Sequence, residues 1–332
     1  MGLFTLYVEL SALILFLTIV LFLGLRKKDY RAVMQILAGS LFGVILEYMN
    51  VQVAETYTYS TQFFIQIGNA PGNIPIVIGL SWGLIIYACM QVSDQIGLPE
   101  WSRPILDGLL ALTIDLSIDT IAIRLDGGFW AWNNIPLESL PTLNSFFGVN
   151  YGNFTGWFFV VSIFSILLRF EQNILQDQEK FQFSKVITIV YFCIIPFFSY
   201  ILLLLAFSIS SLPIVWIFGY LPIPGINGSN QLPQWIALLI FSLILLLAII
   251  AQIGAIFQSR PKIEKDVNWV SIVVFMDFHL TYLGFYLLAG YFWEAPLILT
   301  LGVSMLIIDV FIHWTILDVN QLKEQIRRRK ID

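Results

Sequence analysis

The sequence predicts an all-α, polytopic transmembrane helix bundle of about nine helices, with the N-terminus outside and the C-terminus cytoplasmic. Three observations carry this prediction: a scarcity of charge, apolar runs of membrane-spanning length, and basic residues confined to one side. The 332 residues are 58% hydrophobic and only 12% charged, with a mean hydropathy of +0.83. Soluble domains carry about 25% charged residues to keep their surface in water. This chain lacks that cover.

A spanning helix needs about 20 mostly apolar residues to cross about 30 Å of hydrocarbon. Segments 3–25, 31–53, 72–93, 104–124, 153–170, 184–209, 232–258, 267–290 and 295–318 meet the requirement. The first is too long for a signal peptide and has no basic residue before it. It is followed by Arg26, Lys27 and Lys28 rather than a small-residue cleavage site, so it reads as a retained helix. With loop 26–31 in the cytoplasm and strict alternation thereafter, sixteen of the seventeen basic residues fall on the cytoplasmic side. Arg124 alone falls outside. Cytoplasmic loops of membrane proteins carry such an excess, and a miscounted helix in the middle would scramble it.

The outer loops differ from the inner ones. Residues 54–71 and 125–152 are long, nearly uncharged and rich in Tyr, Trp, Phe, Asn, Gly and Pro. Loops of that kind fold over helix ends rather than float in water. Residues 210–231, with Pro213, Pro222, Pro224, Gly225 and Gly228, make a third such cap. The stretch 319–332 ends in Arg327-Arg328-Arg329-Lys330 and reads as an anchor to anionic lipid heads. Several classes of function are excluded. Two histidines are too few for a histidine-rich di-iron centre. No lysine lies within a predicted span, so no retinal Schiff base forms. The scattered basic residues argue against nucleic acid. Cys89 and Cys193 lie in apolar runs and read as small core residues.

An ionisable side chain at bilayer depth is costly and therefore a functional candidate. The candidates are Glu9, Glu47, Asp107, Asp115, Asp119, Asp277, His279, Asp309 and His313. Asp107 and Glu9 lie near helix ends, where water is expected to reach them. Asp115 and Asp119 are four apart and so share one helix face, separated by about 6 Å along the axis. Glu47 lies in the outer half of its helix, as does Asp119. Two or three carboxyls in an apolar room cannot all ionise, so a protonated acid stands beside a carboxylate. The structural alternative is that these acids make interhelical hydrogen bonds. Asp309 and His313, also four apart, and Asp277 with His279 read as structural polar contacts. Nothing in the spacing of Asp115, Asp119, Glu47 and His279 demands a metal, and none is assigned.

With the helices placed, an ordered series of residues stands out between 43 and 157. Glu47 is followed by Tyr57-Thr58-Tyr59, then by Gly72-Asn73-Ile74-Pro75-Ile76 and Trp82. Asp115 and Asp119 come next, then Gly128-Phe129-Trp130-Ala131-Trp132. The series ends in Phe147-Gly148-Val149-Asn150-Tyr151-Gly152-Asn153-Phe154-Thr155-Gly156-Trp157. In order and spacing this resembles the integral-membrane carotenoid biosynthesis protein family, which includes hydratases of acyclic carotenoid end groups. Thr120 stands where that family usually has a proline. The resemblance divides 1–332, taken as a single transmembrane domain, into a family-like core of about 31–170, additional helices over 184–318 and the basic tail.

The resemblance implies addition of water to the terminal C=C of an acyclic carotenoid end group by acid catalysis inside the membrane. It implies a lyase without a cofactor, acting on a carotenoid or other long isoprenoid, possible company being other enzymes of the pathway; the location expected is a bacterial inner membrane. Hydrating such an alkene needs an acid, a base and a cation-tolerant lining. Asp119 or Asp115 would be the acid and Glu47 the partner base. Tyr57, Tyr59, Trp82, Trp130, Trp132 and Trp157 would line the substrate site, although Trp at helix ends also forms interfacial belts. Asn73 and Asn153, each at an outer helix start, would position the water. Two other readings use the same carboxylates: a transporter or proton- or cation-coupled carrier, and a non-catalytic membrane subunit. The predicted topology has a direct check. Single cysteines in loops 94–103 and 259–266 should react only with membrane-permeant reagents, and labelling from outside would overturn the alternation.

Overall fold

The computed structural model describes residues 2–174, 185–218, 233–259 and 268–316. Among them the chain forms nine crossings. Helix α1 (Leu3–Leu21) runs on through a π turn, Phe22–Lys27. Helix α2 (Tyr30–Tyr48) does the same through Met49–Val53. Then come α3 (Ile76–Gln95), α4 (Arg103–Ala122) and α5 (Tyr151–Ile174). A short α6 (Lys185–Ile189) leads through a π turn into α7 (Ile195–Phe218), and the two form one crossing. Helices α8 (Gln234–Ser259), α9 (Trp269–Leu288) and α10 (Pro296–Ile316) complete the bundle. Eight crossings are long and apolar enough to span a membrane, and the protein is a multi-pass membrane protein.

The ninth crossing, α4, departs from the apolar pattern because it carries Asp107, Asp115 and Asp119. It is the helix the others surround, packing against α3, α5, α8, α9 and α10. That position follows from its composition. In hydrocarbon an unpaired carboxyl is costly, so a helix with three must be covered by protein. The lipid-facing helices show the reverse, with Leu246, Leu247 and Ile250 of α8 and Ile307 and Phe311 of α10 exposed.

Two loops fold over one end of the bundle, as their composition suggests, and they do so as short ribbons. Strand β1 (Tyr57–Tyr59) pairs antiparallel with β4 (Trp130–Trp132), setting Tyr57 opposite Trp132 and Tyr59 opposite Trp130. The two-residue side-chain alternation of a strand turns all four rings inward and leaves Ala131 exposed. Strand β2 (Gln66–Ile67) pairs with β3 (Ile74–Pro75) just before α3. Residues 72–75, placed in the third span by the sequence, thus belong to the cap, because this pairing takes them before the helix starts. At the other boundary α7 runs to Phe218, through the Pro213 assigned to an outer cap. The rest of that cap, the basic tail and Arg260, Lys262 and Lys265 lie outside the described residues.

Neither Glu9 nor Asp107 is solvated as expected. Glu9 is buried and accepts hydrogen bonds from the backbone N–H of Phe64 (2.6 Å) and Ile65 (3.0 Å), which ties the cap to α1. Asp107 is fully buried at the opposite end, paired with Arg169 and accepting from Ser93 Oγ at 2.5 Å. Arg169 also reaches Asp94 at 3.2 Å, so one guanidinium joins α3, α4 and α5. Arg124, the one basic residue expected on the outer side, is buried too. It donates to the carbonyls of Thr120 (2.5 Å), Glu138 (2.5 Å) and Phe147 (3.0 Å), holding the long 123–150 loop on the end of α4.

Helices α2 and α3 approach most closely where Gly39 and Gly43 face Gly79 and Gly83. Small residues four apart let helix backbones meet in a membrane, where packing rather than the hydrophobic effect drives association. A Cβ at Gly83 would run into the backbone of Ile36 and Ser40, and one at Gly43 into Trp82. The second contact positions Trp82 at the cap end of α3. Gly83→Leu is expected to destabilise the fold by about 1–3 kcal/mol, the usual cost of overpacking. A lowered apparent melting temperature in detergent, against an unchanged value for Gly254→Leu in open space, is the check.

Candidate active site

The cap, α2, α3, α4, α5, α7 and α9 enclose a cavity of about 310 Å³ beneath the β1–β4 ribbon. Its wall carries two acids from different helices, Glu47 of α2 and Asp119 of α4. Around them stand Tyr57, Tyr59, Trp82, Trp130, Trp132, Asn153 and Trp157. The remaining wall is largely aliphatic or aromatic.

Glu47 is 3% exposed, and three donors converge on it. Trp82 Nε1 donates to Oε1 at 2.9 Å, Tyr59 Oη donates to Oε2 at 2.6 Å, and Tyr57 Oη donates to the same oxygen. The donors come from two parts of the fold. The pleat of β1 sends Tyr57 and Tyr59 to the same side, and the glycine contact at Gly43 seats Trp82. Burial first, and then the neighbouring carboxylate, push both phenols well above their ordinary range. They therefore remain donors.

Asp115 and Asp119 are bridged by one side-chain amide. Asn153 Nδ2 of α5 donates to Asp115 Oδ1 at 2.9 Å and to Asp119 Oδ2 at 2.7 Å. The other two oxygens, Asp115 Oδ2 and Asp119 Oδ1, are buried with no donor from the protein. Buried oxygens of this kind call for a hydrogen, which a proton held between the two carboxyls would supply. Asp115 is 0% exposed and lies behind the wall, so only Asp119 of the pair faces the cavity. Thr120, in the place of a proline, lets α4 continue to Ala122, its Oγ1 donating back to the carbonyl of Leu116 at 3.2 Å.

The rings form a continuous lining. Trp82 and Trp157 lie with centroids 4.3 Å apart. Tyr57 meets Trp132 edge-on at 4.8 Å, and Tyr59 meets Trp130 at 6.1 Å. Trp157 is thus part of the cavity wall as well as a helix-end tryptophan.

A model of the carotenoid biosynthesis protein family matches residues 8–222. The chain belongs to that family. No curated protein and no solved structure matches it. A role in carotenoid biosynthesis, with an isoprenoid substrate, follows from the membership. The match runs well beyond the 43–157 series and takes in α1 through α7, hence every cavity residue named so far.

Some expected site residues stand elsewhere. Asn73 is not on the cavity wall. Its amide nitrogen donates to the carbonyl of Ser60 (3.1 Å) and to Gln66 Oε1 (2.5 Å), closing the β2–β3 turn. The amide nitrogen of Asn153 is committed to the two aspartates rather than to a water. His279 is paired with Asp309 at 2.5 Å, and Thr113 Oγ1 of α4 donates to the same carboxylate at 2.9 Å. Among the described residues no three metal-binding side chains gather. Other wall residues escaped the sequence reading. Asn50, one turn beyond Glu47 and on its face, was legible by helical spacing. Leu203 and Phe207 of α7 were not, since that helix is apolar all round. Phe278 and Tyr282 of α9 complete the wall.

Replacing Glu47 should expose the dependence of the cap on its acceptor. Glu47→Leu would leave two hydroxyls and an indole N–H buried without partners, at about 1–3 kcal/mol for each group. Glu47→Gln keeps one acceptor oxygen. Thermal denaturation in detergent should therefore rank wild type above Gln and Gln above Leu.

Proposed function

We propose that this family member adds water across the terminal C=C of an acyclic carotenoid end group, without a cofactor. The observation that carries this reading is the pair Asp115 and Asp119, with two donorless oxygens, set against an aromatic cavity that holds a separately satisfied carboxylate, Glu47. Addition of water is redox-neutral and needs only proton movement. Asp119 gives its proton to the less substituted alkene carbon, and the π electrons form the new C–H bond. A tertiary carbocation remains on the neighbouring carbon.

The lining suits that intermediate. Ring faces attract a cation without reacting with it, and Trp82, Trp157, Tyr57 and Tyr59 surround the space. Glu47, holding three donors, serves as a fixed counter-charge rather than as the base first expected. Water adds to the cation, forming the C–O bond, and the excess proton returns to the Asp119 carboxylate. The acid is thereby restored. Asn50, Thr56 and Asn150 line the cavity and are half-buried at the cap end, which gives water a polar approach. The aliphatic wall of Leu46, Val160 and Leu203 suits the hydrocarbon.

The N-terminus and the cap lie on the outer side in this reading, so the reaction occurs in the non-cytoplasmic leaflet of a bacterial inner membrane. Neighbouring pathway enzymes would deliver and remove the lipid-borne polyene. The test is pigment analysis of a host that accumulates acyclic carotenoids. Wild type should yield a product heavier by one water. Asp119→Asn should lower it by about 10²-fold or more, the usual worth of a positioned acid. Undiminished hydration by Asp119→Asn would remove the residue from the mechanism, and no hydrated product from wild type would overturn the reaction.

A further inference from the structure

Helix α9 lies beyond residue 222, where the family match ends, and yet it supplies part of the cavity wall through Phe278 and Tyr282. These two are four apart and share a face. The residue next to Phe278 fixes which face that is. His279 is fully buried and bonds Asp309 of α10 at 2.5 Å, while Thr113 of α4 donates to both Asp309 oxygens at 3.0 and 2.9 Å. Rotating α9 would strand a carboxyl and an imidazole inside the bundle. Near the cap end Tyr286 Oη donates to the carbonyl of Ala295 at 2.9 Å, a second restraint on the same helix. The register of α9 is therefore set from both sides of Tyr282.

Tyr282 is 5% exposed, and its ring lies 6.3 Å from that of Phe129. It shares the cavity wall with Asp119. Its hydroxyl makes no hydrogen bond within the described residues. This sets it apart from Tyr57, Tyr59 and Tyr286, whose hydroxyls all donate to protein acceptors. A hydroxyl without a protein partner, on a buried tyrosine that lines the cavity, is free to bond the cavity's contents.

We infer that Tyr282 is a further catalytic residue, holding the incoming water beside Asp119. This rests on the hydration proposed above. One water hydrogen is accepted by Tyr282 Oη and the other by the Asp119 carboxylate, which aims the oxygen lone pair at the cation. As the C–O bond forms, the second hydrogen passes to Asp119 and Tyr282 keeps its own proton. When no water is held there, the cation has another exit. It gives a proton from an adjacent carbon to the Asp119 carboxylate and becomes an alkene isomer of the starting polyene with the double bond shifted.

That competition supplies a readout independent of how much protein folds. The test compares wild type with Tyr282→Phe in the carotenoid-accumulating host, measuring the ratio of hydrated carotenoid to double-bond isomer. Tyr282→Phe is expected to lower the ratio about tenfold or more, since one transition-state hydrogen bond is worth on the order of 10²–10³ in rate. A purely structural role would lower both products together and leave the ratio unchanged, and that result overturns the inference while hydration stands. Should Tyr282→Phe fail to accumulate in the membrane, the ratio from Tyr282→Met decides in the same way. Absence of hydrated carotenoid from wild type overturns both proposals at once.

Discussion

The architecture depends on one constraint: three aspartates on a single helix must cross a bilayer. A carboxyl facing lipid is costly, so α4 is enclosed on all sides, and each acid receives its own solution. Asp107 is neutralised by Arg169. Asp115 and Asp119 are joined through Asn153. The apolar helices then take the lipid-facing positions that α4 cannot occupy. The site is a by-product of that enclosure, since at Asp119 the covering helices stand apart and leave a cavity.

The cap depends on the same economy of polar groups. Glu47 would be as costly as the aspartates without its three donors, and two of those donors are delivered by a strand only three residues long. The ribbon in turn is held by Glu9 beneath one loop and Arg124 beneath the other. Buried charge therefore builds the roof as well as the floor. Removing one acid disturbs an ordered set of loops and not only a local contact.

Much of this was legible in the sequence because it rests on local periodicity. Twenty-residue apolar runs gave the crossings, and the four-residue spacing of Asp115 and Asp119 placed them on one face. The alternation in Tyr57-Thr58-Tyr59 and Trp130-Ala131-Trp132 is that of strands, but no local signal says that segments so far apart pair with each other. Asn73 was misread because a polar residue at a helix start serves a turn as readily as a ligand. Asp107 was misread because nearness to a helix end says nothing about Arg169 arriving from another helix. Tyr282 was hidden for a related reason. A tyrosine near a helix end reads as interfacial, and its inward direction comes from His279 and Asp309, residues whose meeting is purely tertiary.

The size of the cavity has a consequence for the order of events. On the proposed reading, about 310 Å³ suits the tip of an extended polyene rather than its length, which would remain among the acyl chains outside. A molecule with two identical ends would then be served one terminus per visit. Between visits it has to leave, turn end for end in the bilayer and re-enter. A half-converted, asymmetric carotenoid would thus be a free lipid-phase species, open to other enzymes before its second end is altered.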